Sequence, residues 1–311
     1  MTDVIDRLAA MTRAEVRAFF RDSDVVEITA VIRDASDQEL RRLIDIDHFR
    51  AEGVRAILDR FPEFADAARL GEIEGVARFD LARGKKVAER HTARFGGGKV
   101  VLEPEAKPDV TISAEIIDFV RLVTGQCNAA LLYLGGRLGI EGDAMLALAV
   151  GCVFRVPGSD QAAVDPTLLD PVDVATAVAT TSAKHMRAVM EGGFRPVVLE
   201  EVFRRFPDFI DAGKAGDLVL TVGFRIGGRT DGEVDRYTVH VRDGACSIET
   251  DPPEGQRRDA TLTLDGVDFL RLATGQLHPV RGVLTGALKV KGDRAKALAL
   301  NAVMVPPQPR R

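Results

Sequence analysis

The chain has 311 residues, 46% of them hydrophobic and 29% charged, with a formal net charge of −5, a composition for two folded domains rather than a disordered chain. The acidic balance, the lack of a Lys/Arg block, the absence of Trp and a complement of only two Tyr argue against a nucleic-acid binder. Three scattered cysteines, Cys127, Cys152 and Cys246, with no C-x-x-C pair, suit a reducing cytosol and argue against disulfides or a zinc site.

The opening "MTDVIDRLAAMTRAEVRAFF" is charged throughout, with no apolar signal core. Thr12-x-x-Glu15 and Ser36-x-x-Glu39 read as capping boxes ahead of amphipathic helices. "FPEF" then breaks the helical pattern, because Pro62 disfavours a helical residue before it. Strands are expected around Ala77, Phe79 and Leu81, at "KVVLE" and at "DVTIS". In "SAEIIDFVRLVTGQ", Ile116, Phe119, Val120 and Val123 fall on one helical face, with Gly125 as a left-handed cap. Phe119, Leu122 and Val123 are expected to cover the sheet, with Asp118, Arg121 and Gln126 facing solvent or capping ends. A short helix "NAALLYLGG", a strand "RLGIEGD" and a last, unusually apolar helix capped by Asp143 follow.

The same order then returns. "FRPVVLEEVFRRFPDFIDA" from Phe194 repeats "FRAEGVRAILDRFPEFADA" from Phe49. "DFLRLATGQ" from Asp268 repeats "DFVRLVTGQ" from Asp118. A period this long means two copies of a whole domain. We place a first domain at 1–156, with extra N-terminal helices, a polar linker at 157–167 and a second domain at 168–311. In the second copy, Asp170-Pro171 opens a helix. Leu220, Val222, Phe224 and Ile226 alternate along a strand, as do Tyr237, Val239 and Val241 before an Asp243-Gly244 turn. "CSIET" and "ATLTL" are expected to continue this meander, whose apolar face needs a helical cover.

No catalytic constellation stands out. His240 alternates outward, and His48, His185 and His278 sit in helix-end or loop contexts. His91 shares a strand face with Val87, Glu89, Ala93 and Phe95 and aligns with Tyr237; it either orients a ligand headgroup or is a satisfied, half-buried histidine. The cysteines read as structural, the glycine runs form no P-loop, and no metal-ligand spacing appears, so neither cofactor nor metal is expected. What remains is more apolar helix surface than a thin layer needs. It either fills a core or lines a cavity. A cavity would be walled in the first domain by Phe79, His91, Phe95, Phe119, Leu131, Leu132, Leu138, Ile140 and Leu148. In the second domain the walls would be Phe224, Tyr237, Val241, Phe269, Val283, Leu284, Leu288, Val290 and Leu298.

The later half of each copy resembles the sterol carrier protein type 2 (sterol-binding) domain family. The second copy supplies Asp259, Thr261, Phe269, Leu272, Gly275, Pro279, Thr285, Gly286, Leu288, Val290, Gly292 and Asp293 to that pattern. The first supplies Asp109, Thr111, Phe119, Leu122, Gly125, Asn128, Gly136, Leu138, Ile140, Gly142 and Asp143. The family's "GKL" lysine is replaced by Arg137 and Ala287. The resemblance implies an α/β (α+β) fold, two tandem sterol-carrier-like domains, each a largely antiparallel five-stranded sheet covered by helices. It also implies non-enzymatic binding and transfer of a sterol, fatty acid, acyl-CoA or phospholipid in an apolar tunnel. A cytoplasmic lipid carrier is thus the leading expectation, with transient membrane contact and a homodimer both open. Beside it stand a structural or protein-interaction module with filled cores, and an enzyme using His91 or a cysteine.

Overall fold

The structure, a computed structural model, describes residues 2–158, 162, 164–253 and 255–310. The chain divides into two compact units, Met1–Pro166 and Thr167–Arg311. Two described residues of the expected linker lie against the first unit. Ala162 bridges Arg155, and Val164 packs on the buried cluster of Ala114, Ala129, Leu132 and Leu138. A Cβ on Gly151 would lie 2.5 Å from a Val164 methyl, so glycine there lets the segment lie flat on the last helix of the unit.

The first unit opens with helices α1 (Thr2–Ala10), α2 (Arg13–Asp22), α3 (Val25–Asp34), α4 (Asp37–Ile44) and α5 (Asp47–Asp59). Both capping boxes form, Thr12 with Glu15 and Ser36 with Glu39. A 3-10 turn at Phe61–Phe64 and the short α6 (Ala67–Leu70) lead into β1 (Gly75–Arg83), β2 (Lys86–Gly96), β3 (Lys99–Leu102) and β4 (Val110–Glu115). Then come α7 (Ile116–Val123), α8 (Ala129–Leu134), β5 (Leu138–Gly142) and α9 (Ala144–Val153). The second unit repeats this with α10 (Pro171–Thr180), α11 (Ala183–Glu191), α12 (Arg195–Arg205), a 3-10 turn at Phe206–Phe209 and α13 (Ala212–Ala215). It continues with β6 (Leu220–Gly227), β7 (Asp235–Arg242), β8 (Ala245–Thr250), β9 (Ala260–Asp265), α14 (Gly266–Ala273), α15 (Pro279–Thr285), β10 (Leu288–Gly292) and α16 (Arg294–Val303). Helices α1 and α2 belong to the first unit alone. They pack on α4 and α5, where Arg13 and Arg17 both donate to the buried Glu52 carboxylate.

The sheets run β3-β2-β1-β4-β5 and β10-β9-β6-β7-β8. Every neighbouring pair is antiparallel except β1–β4 and β6–β9, which are parallel. The expected four-strand meander is thus corrected: three strands meander, and the fourth crosses to the far side of the first. Alternation reveals that a segment is a strand, but not which edge it joins.

The crossing is fastened by an aspartate in each unit. The Asp109 carboxylate accepts the Val76 N–H at 2.8 Å, and Asp109 donates its own N–H to the Val76 carbonyl at 2.8 Å. The Asp143 N–H then donates to the Asp109 carbonyl, which ties the start of α9 to the same point. Asp259 does likewise with Thr221 and Asp293. Gly142 and Gly292 pass directly over these aspartate carbonyls with φ of 99° and 95°. A side chain there is excluded by both sterics and backbone conformation.

The segment "DFVRLVTGQ" proves to be a clamp. Arg121 donates to the carbonyls of Ile32 and Ala35 and to Asp37, and the Gln126 amide donates to the Arg33 carbonyl, so α7 grips the α3–α4 turn. Asp118 is buried and paired with Arg137. The expectation that these polar residues face solvent or cap ends is corrected for Asp118 and Arg121, because Arg137 and the α3–α4 turn supply partners for them, while Gln126 stays exposed. Gly125, at φ 75°, turns the chain into α8 as expected.

Two left-handed glycines separate strain from sterics. A Cβ on Gly292 would lie 2.5 Å from the Asp259 carbonyl oxygen, whereas one on Gly286 (φ 80°) meets nothing within 4 Å. Gly286→Ala should cost only the conformational strain of about 1 kcal/mol. Gly292→Ala should cost several-fold more, read as the difference in urea midpoints for the second unit.

Candidate ligand-binding site

The second unit contains a cavity of about 470 Å³ between α14, α15 and α16 and the sheet. That size lies within the ~300–1,000 Å³ typical of small-molecule sites. Phe224, Leu262, Leu288 and Val290 form its sheet side. Phe269, Leu272 and Ala273 come from α14, Pro279, Val280, Val283 and Leu284 from α15, and Ala297, Leu298 and Leu300 from α16; Phe206, Met304 and Pro306 complete the apolar wall. The polar side chains lining it are Lys289, Arg294 and Asn301; no carboxylate, histidine, cysteine or hydroxyl residue is among its lining residues. Leu284 is 82% exposed, so the cavity opens to the surface along α15.

The sheet side is held by an aromatic stack. Phe203 of α12 lies parallel to Tyr237 with ring centroids 3.8 Å apart, and stacks on Phe269 at 5.0 Å while meeting Phe224 edge-on. Burial, with nearby Asp235 and Asp251, pushes the Tyr237 phenol up to about 12. Gly282 is what brings α15 close: a Cβ there would crowd Leu288 at 3.1 Å. In the first unit the equivalent residue is Leu132, 4% exposed, which packs with Ala114, Ala129 and Leu138 and against Tyr133, Ile140 and Val164. The position that carries a buried leucine in the first unit is thus a glycine packed on the cavity-lining Leu288 in the second.

Of the second-unit residues expected to wall a cavity, Phe224, Phe269, Val283, Leu284, Leu288, Val290 and Leu298 line this one. Tyr237 and Val241 do not: both are buried in the sheet's inner layer, Tyr237 behind Phe203. In the first unit, Phe79, Phe95 and Phe119 are buried in an aromatic core with Phe61 and Phe154. Leu132, Leu138 and Ile140 belong to the packed cluster, and Leu131 and Leu148 are half-buried. A separate hollow of about 430 Å³ in that unit sits at the Phe61–Phe64 turn, between Glu63–Ala68 and Arg155–Gly158. Sequence reasoning missed it, as it missed Lys289, Arg294 and Asn301. For Arg294 and Asn301 a signal existed, since Arg294, Ala297, Leu298 and Asn301 share the i, i+3, i+4, i+7 face of α16.

His91 is half-buried opposite Phe79, as Tyr237 is opposite Phe224. Its Nε2 has no hydrogen-bond partner and lies 3.7 Å from the Glu89 carboxylate, beyond bonding distance. Burial holds its pKa below the usual histidine value, against the pull of Glu89. The three cysteines are half-buried and free. Burial raises each thiol's pKa, that of Cys246 to about 11, the opposite of an activated nucleophile.

The description of the SCP-2 sterol transfer family matches residues 54–155 and 200–305, one region in each unit and together more than half of the chain. The chain belongs to the SCP-2 sterol transfer family. Human sterol carrier protein 2 is 29% identical over 84 residues, 27% of this chain and 15% of that protein. Hydroxysteroid dehydrogenase-like protein 2 of Xenopus tropicalis is 23% identical over 106 residues, 34% of this chain and 24% of that protein. The match therefore spans a quarter or less of either relative. Among solved structures, apo sterol carrier protein 2 from Yarrowia lipolytica aligns with 21% identity over 37% of this chain and 94% of that one, at a TM-score of 0.29. Lipid binding is the general property of that family. Among the described residues no helix is long and apolar enough to cross a membrane.

A buried histidine whose folded pKa is depressed binds fewer protons folded than unfolded. Stability must then fall as pH drops through the unfolded value of ~6.5. His91→Leu should remove that part of the acid slope, so wild type and variant diverge between about pH 7 and pH 5 in urea titrations of the first unit.

Proposed function

We propose that this protein is a non-enzymatic carrier that holds one amphiphile with an anionic head and an apolar tail in its second SCP-2 unit. The observation that carries this reading is the lining of the cavity: an apolar wall with two cations, Lys289 and Arg294, and no acid. A fatty acid or another acyl chain with an acidic head suits that lining better than a neutral sterol does, because a sterol leaves both cations without a counter-charge. Burying each methylene is worth about 0.8 kcal/mol, so a long acyl chain gains on the order of 10 kcal/mol before association costs, enough for reversible capture without a charged clamp. The lining offers no carboxylate, histidine, cysteine or hydroxyl to pair with Lys289 as a catalytic group, which favours carriage over chemistry. A cytoplasmic setting agrees with the three free, half-buried thiols.

The first unit supports a second reading for itself alone. Its Leu132 cluster, sealed by Val164, is a packed core, so that unit serves as a structural or interaction module attached to the carrier.

Native mass spectrometry of the gently purified full chain should find one acidic acyl lipid per molecule. A charge reversal of both cations, Lys289→Glu with Arg294→Glu, should weaken palmitate binding several-fold, since exposed ion pairs contribute roughly 0.2–1 kcal/mol each. Exclusive recovery of a neutral sterol, or equal palmitate affinity in wild type and variant, would refute the anionic-head assignment.

A further inference from the structure

We propose that the mouth of the second unit's cavity is a docking surface for a bilayer that carries anionic lipid. The mouth presents aliphatic side chains to water: Val280 is 47% exposed, Val283 42%, Leu284 82% and Leu298 50%. These same residues line the cavity, so the apolar rim and the apolar interior are one continuous surface. Contiguous exposed apolar groups of this kind mark an interaction site rather than ordinary surface.

Charge identifies the partner. Between Pro279 and Leu298 there are five cations, Arg281, Lys289, Lys291, Arg294 and Lys296, against the single acid Asp293, in a chain whose net charge is −5. Asp293 is already engaged, its carboxylate accepting the Ala295 and Lys296 N–H groups at the start of α16. The equivalent stretch of the first unit, Ala129 to Leu148, has one cation and two acids, and that cation, Arg137, is paired with Asp118. The two units therefore differ over the same stretch: in the first it is slightly acidic, and in the second it joins the apolar rim to four exposed cations, Arg281, Lys289, Lys291 and Arg294, two of which line the cavity. Aliphatic residues fringed by Lys and Arg are what a surface needs to enter the headgroup layer of an anionic leaflet. Docked in this way, the mouth would let an acyl chain move between bilayer and cavity without crossing water.

The proposal rests on the cavity as the lipid site, and the test keeps the two separate. Full-length protein is co-sedimented with vesicles of phosphatidylcholine alone and of phosphatidylcholine with phosphatidylserine. Binding should rise with the serine lipid and fall with added salt. Arg281→Glu with Lys291→Glu, two exposed positions outside the cavity lining, should weaken partitioning by at least about tenfold, since each near-surface cation contributes about a factor of five. Lipid carried by the variant, read by native mass spectrometry, should be unchanged. Equal sedimentation of wild type and variant, or binding indifferent to phosphatidylserine, overturns the proposal. So does a wild-type dimer in analytical ultracentrifugation that the double variant abolishes, which would make the rim a contact between copies. Charge-dependent vesicle binding by protein that carries no lipid would support docking while removing the carrier reading.

Discussion

Each unit depends on one backbone knot. An aspartate at the head of the crossing strand, Asp109 or Asp259, bonds to the first strand through both its side chain and its amide, and its carbonyl receives the residue that opens the last helix. Three elements distant in sequence are thereby fixed at one point, under a glycine that cannot carry a side chain. The knot determines where α9 and α16 begin, and so how they lie over the sheet. Whether the space beneath is filled or open is then a matter of a few side chains on α8 and α15. Leu132 against Gly282 is the clearest case, since Leu132 packs into a buried cluster while a side chain at Gly282 would crowd Leu288.

That division of labour explains why two units of one fold can differ so much inside. Scaffold residues are retained in both copies, and the difference is concentrated on one helix–strand–helix stretch. The second unit keeps an aromatic stack of Phe203, Tyr237 and Phe269 behind its cavity, so the hollow has a stiff back wall. In the first unit Arg121 and Gln126 bind α3 and the α3–α4 turn and Asp118 holds Arg137, and in the second Gln276 likewise bonds the Ala175 carbonyl of α10.

Much of this was legible in the sequence. Capping boxes at Thr12 and Ser36, strand alternation from Leu220 to Ile226, the Asp243-Gly244 turn and the duplication all follow from local rules, and the structure contains each. The parallel crossing was not legible, because hydrophobic periodicity is blind to strand order. The pairing of Asp118 and Arg121 was hidden for a related reason: their partners, Arg137 and the α3–α4 turn, lie at distances in sequence that a local reading cannot bridge. Most apolar residues of the cavity could be read as apolar surface in excess. Of its cations, Arg294 was marked only by sharing a helical face with Ala297, Leu298 and Asn301, and Lys289 not at all, because an exposed lysine carries no signal until the shape around it is known.

The knot also bears on how the chain reaches its fold. Hairpins β1–β2 and β6–β7 join neighbours in sequence and can form early, whereas β4 and β9 must return across two intervening strands before their aspartates engage. Two such returns in one chain, each ending in the same aspartate-glycine pairing, create a choice of partner during synthesis, and tandem repeats are prone to settle that choice wrongly by swapping strands between copies. The first copy is synthesised before the second emerges, so vectorial synthesis itself separates the two closures in time. The duplication thus makes the order of folding, as much as the final contacts, part of what the sequence must specify.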